Sequence, residues 1–177
     1  MRSSSTRIAL ATALLTGMAA WPAQAIDIVK TQTTDGRRIE MHVMQAEPFY
    51  TADQVKANPE LEGMLIVGGA APLQPDGTPR PNCHLIVHVY DARSNKAITD
   101  ATVAMKYQPL SADGKPQGTA IRVPVAVMQV IGKGPETTHY GNNVVLPDGT
   151  YDVTVTVNGK DTVFHIVVSG DREASGK

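Results

Sequence analysis

The sequence is poor in the residues that build several common kinds of site. Among its 177 residues it has one cysteine, one tryptophan and two phenylalanines. A single cysteine excludes an internal disulfide. Aromatics at 5% leave little from which to build a stacking platform for bases or sugars. Basic residues do not outnumber acidic ones (16 against 17, net charge −1), so a nucleic-acid partner has no electrostatic support. Catalytic signatures are also missing. There is no Gly-x-Ser-x-Gly elbow, no phosphate-cradling glycine loop and no His-Glu-x-x-His pair. The sequence therefore gives no reason to expect an enzyme. It carries no internal repeat, low-complexity tract or charge run, and 42% hydrophobic residues suffice for one domain with a full core.

What is present begins with an address. Arg2 and Arg7 precede an apolar stretch from Ile8 to Trp21, which ends in Ala23-Gln24-Ala25. A positive start, an apolar middle and a small-x-small ending make a secretory signal peptide over residues 1–25, cleaved before Ile26. The apolar stretch falls short of the roughly 20 residues that span a bilayer, and no lipidated cysteine follows it. The expected product is a periplasmic domain, residues 26–177, that loses the tryptophan and keeps all five histidines. In that oxidising compartment Cys83 needs either a partner or a reason to stay reduced.

The remainder reads as all-β, an immunoglobulin-like β-sandwich with a short N-terminal helix and an extra strand. Tyr151–Val157 and Lys160–Val168 alternate around Asn158-Gly159, a strong hairpin signal because both turn residues take positive φ. His84–Tyr90, Ala101–Tyr107 and Ala120–Gln129 read as further strands, followed by a loop over 130–143. Tyr151, just after Asp148-Gly149, resembles the tyrosine corner of immunoglobulin-like sandwiches. Residues 83–170 are expected to form the core sandwich and 26–82 an N-terminal edge extension. Within that extension Arg37–Gln45 reads as a strand, Thr51 caps a short helix, Leu65–Val67 is a further strand and 68–82 is a Pro/Gly-rich loop.

The chemistry-bearing residues are soft and borderline metal ligands. Thioethers and thiolates suit Cu(I), and imidazole suits copper, zinc, iron and nickel. His84, Ile86, His88 and Tyr90 share one strand face, while Leu85, Val87 and Val89 face the core. His84 and His88 stand about 13 Å apart along a regular strand, so both cannot bind one ion. His84 is the better candidate because a loop precedes it. The glycines and proline after Met128 allow the chain to fold back and bring His139 near it. The candidate metal ligands are therefore His84, Met128 and His139. The sequence does not match a blue-copper centre, which needs a strand-end cysteine closely followed by His and Met.

These residues carry a resemblance. His84 at the head of a strand, Met128 before a Gly-Pro loop, and His139-Tyr140-Gly141-Asn142-Asn143 resemble the periplasmic copper-binding accessory proteins of high-affinity ferrous iron uptake. The likeness covers roughly residues 82–158. It implies an immunoglobulin-like sandwich that dimerises, binds copper (with iron as the alternative ion) and works beside an inner-membrane metal permease. The chain departs from the pattern in three ways. Ile86 stands where the family has a glutamate, Glu136-Thr137-Thr138 is inserted before His139, and a later histidine-rich loop has no counterpart. Cys83 or Glu136 is left to complete the ligand set. The alternative function is a non-metal interaction module whose rim is formed by the loops at 68–82 and 132–143.

Overall fold

A computed structural model describes residues 27–169; the expected signal peptide lies outside them. In chain order the elements are β1 (Ile28–Thr34), β2 (Arg37–Gln45), β3 (Phe49–Tyr50), α1 (Ala52–Ala57), β4 (Met64–Gly69), β5 (Cys83–Asp91), β6 (Val103–Leu110), β7 (Ile121–Val123), β8 (Ala126–Val130), β9 (His139–Val144), β10 (Gly149–Val157) and β11 (Lys160–Val168). They form an all-β sandwich. One sheet has seven strands in the order β1-β2-β5-β9-β8-β4-β3, and the other has four in the order β11-β10-β6-β7. Among the described residues no helix is long and apolar enough to cross a membrane.

Alternation builds the main core. β2 sends Ile39, Met41 and Val43 inward, and β5 sends Cys83, Leu85, Val87 and Val89. They meet Val153, Val155 and Val157 of β10 and Phe164, Ile166 and Val168 of β11. Residues 28–69 supply both edges of the larger sheet, the β1–β2 hairpin at one and β4 and β3 at the other. α1 starts as expected, with Thr51 and Gln54 closing a reciprocal capping box. The sandwich edge is joined where Gln32 Nε2 donates to the Val163 carbonyl at 2.6 Å. The tyrosine corner is present, since the Tyr151 hydroxyl donates to the Pro147 carbonyl four residues upstream at 2.6 Å.

Two expectations need correction. The strand expected over Ala120–Gln129 is two strands in different sheets, β7 beside β6 and β8 between β4 and β9. Pro124 lies at the break, where its missing N–H cannot continue a ladder. The loop expected over 130–143 ends early, because His139–Val144 is a wholly buried strand in the larger sheet. Gly141 is required there. A β-carbon on it would stand 2.1 Å from the Leu85 carbonyl oxygen of the neighbouring strand.

Candidate metal centre

The larger sheet has a second buried face, turned away from the main core. Phe49, Met64, Ile86, Ala126 and Met128 form a small apolar cluster there, with Met44, Ile66 and Val130 packed against it. Pairing registers decide which donors meet on this face. Met44 of β2 lies directly opposite His84 of β5, and Met128 of β8 directly opposite His139 of β9. Each buried histidine thus has a thioether as its cross-strand neighbour. The His84 and His139 ring centres are 6.0 Å apart. The structure therefore sets the two imidazoles side by side, with Met128 beside His139 and Met44 beside His84.

The hydrogen bonds fix which ring nitrogens are free. Asn143 Oδ1 accepts the Glu47 backbone N–H, and its Nδ2 donates to the Glu47 and Leu73 carbonyls. That amide orientation presents only an acceptor to His84 Nδ1, 3.0 Å away, so Nδ1 carries the proton. His139 Nδ1 faces the Thr137 carbonyl at 2.8 Å and must donate as well. In both rings the lone pair then belongs to Nε2. Among the described residues the buried side-chain nitrogens and oxygens without a hydrogen-bond partner are His84 Nε2 and His139 Nε2.

Burial keeps both rings neutral. It pushes His84 down to about 3, with the neighbouring His139 adding to the effect. It pushes His139 down to about 4 against the opposing bond to Thr137. A neutral imidazole with Nδ1–H tied to an oxygen and Nε2 exposed to nothing is the arrangement of a metal-ligating histidine. Bonds of about 2.0 Å to one ion hold two ring centres within about 6.4 Å, and the 6.0 Å seen here fits.

The surrounding loops are strapped down over this face. Phe49 lies against His84 with ring centres 5.3 Å apart. Gln74 holds Phe49 by bonding both its backbone N–H and its carbonyl. Asn142 accepts from the Leu73 N–H and donates to the Pro124 carbonyl. Replacing Asn143 with alanine removes the partner of His84 Nδ1 and of three backbone groups. The expected result is a loss of about 3 kcal/mol or more in unfolding stability and, for any ion held by His84, a 10–100-fold loss of affinity. Urea unfolding and a competition titration on the same variant check both.

The conjectured completing ligands do not reach the centre. Cys83 points into the main core, because successive strand residues face opposite sides. Burial and the nearby Asp148 push its thiol up to about 11, which disfavours the reactive thiolate. Glu136 is exposed on the turn before β9. Among the described residues no three His, Cys, Asp or Glu side chains are grouped to hold an ion; the pair is of two imidazoles, each with a methionine as its cross-strand neighbour. Comparison of the chain with protein-family models, curated proteins and solved structures finds no match to any of them.

Proposed function

We propose that this chain is a periplasmic metal-binding protein that holds copper as Cu(I) and serves copper or iron handling. The observation that carries this reading is the pair of orphaned Nε2 lone pairs. A buried polar atom without a partner costs about 1–3 kcal/mol, a cost that coordination of an ion offsets. His84 and His139 would bind through Nε2, and Met128 and Met44 would supply sulfur. Two neutral imidazoles with thioethers favour Cu(I) over Cu(II), iron or zinc, which draw on carboxylate or water that this set lacks. Export rests on the charge and hydropathy pattern of residues 1–25.

The test is an anaerobic titration of the mature protein against a chromophoric Cu(I) chelator. One Cu(I) per chain, withdrawn from the chelator by wild type and much more weakly by Met128→Leu, is expected. Equal withdrawal by both would remove Met128 from the site, and none by either would overturn the proposal.

A further inference from the structure

We propose that His42 and His88 form an outer station through which an ion reaches the His84–His139 pair. The inference rests on the metal-binding reading above and concerns how that site is filled.

Four of the five histidines lie on this one sheet face; the fifth, His165, pairs with Asp152 in the other sheet. The four run in file. Ring centres are 5.4 Å apart from His42 to His88, 5.3 Å from His88 to His139 and 6.0 Å from His139 to His84. The outer pair is the more exposed. His42 and His88 are half-buried, whereas His139 and His84 are sealed at 1% and 0%. Every step is shorter than the about 6.4 Å that two imidazoles sharing one ion can span. An ion can therefore change partners one ring at a time without being left unliganded in an apolar interior, where a bare charge is prohibitively costly.

The outer end is built to receive a cation. Glu40 pairs across the sheet with His88 and accepts a bond from His42 Nε2 at 2.9 Å. Arg38 is engaged by Glu40 and lies 3.9 Å over the Tyr90 ring. A fixed guanidinium beside the path repels a divalent ion about twice as strongly as a monovalent one, which favours Cu(I) as the traveller.

The experiment separates rate from affinity. Cu(I) is offered to the full mature protein as its bicinchoninate complex, and loading is followed by stopped-flow loss of the chelator's colour. His88→Ala and His42→Ala are expected to load at least about tenfold more slowly, within the one to three decades over which association rates respond to mutation. Their equilibrium affinity should stay close to wild type. His88→Gln serves as a second variant should alanine unsettle the sheet, and it should also load slowly. Wild-type loading rates with copper fully bound in all three variants would overturn the station and leave the inner site standing. A wild-type protein that binds no copper would overturn both.

Discussion

Replacing His139 with leucine is expected to abolish tight Cu(I) binding while leaving the metal-free protein at least as stable as its parent. The ring is 1% exposed and makes one hydrogen bond, from Nδ1 to the Thr137 carbonyl at 2.8 Å. Its Nε2 is orphaned. Leucine forfeits a bond worth about 1 kcal/mol and relieves an orphan costing about 1–3 kcal/mol. Most substitutions of buried side chains destabilise, so a neutral or opposite sign marks a position kept for function. Copper affinity should fall by more than the 10–100-fold typical of outer-shell partners, because a direct ligand is lost. Urea unfolding of the metal-free variant and chelator competition give the two numbers. A variant destabilised by several kcal/mol with affinity intact would instead make His139 a packing residue.

Acid should be unusually damaging to the metal-free protein. In the unfolded chain both site histidines take up a proton near 6.5, whereas in the fold they do so near 3 and 4. Above pH 6.5 both states are neutral there, and the histidines' full contribution to stability is present. As pH falls, the unfolded state gains protons that the folded state refuses. Stability then drops by about 1.4 kcal/mol per pH unit for each histidine, or about 2.7 for the pair. Two units of acidification would consume much of the ~5–15 kcal/mol typical of a domain. Urea midpoints taken at about pH 7, 6 and 5 should fall steeply, and His139→Leu should halve the slope. Copper-loaded protein should unfold at higher denaturant throughout, since the ion binds the folded state. A flat profile between neutrality and pH 5 would mean that the rings protonate freely in the fold.

Much of this fold could be read in advance where a local pattern was enough. The alternation of β2 and β5, the Asn158-Gly159 hairpin and the capped helix at Thr51 each depend on neighbours in sequence. β9 could not be read that way. Gly141, Asn142 and Asn143 have the composition of a turn, yet they lie in a buried strand. Gly141 is there because β5 approaches too closely for a side chain, and the two asparagines because loops must be tied across the sheet. The meeting of Met128 and His139 was expected from a loop folding back, whereas strand pairing between β8 and β9 brings it about. Met44 illustrates the remaining limit. Its strand could be read, but no local signal says that β2 pairs with β5 in the register that sets Met44 opposite His84.

The central claim is that two imidazole nitrogens and thioether sulfur share one ion, and X-ray absorption at the copper edge tests it most directly. On Cu(I)-loaded protein the account predicts nitrogen neighbours at about 2.0 Å together with sulfur at about 2.3 Å. The sulfur signal should weaken in Met128→Leu. A spectrum with light-atom neighbours alone, identical in wild type and in Met128→Leu, would contradict it.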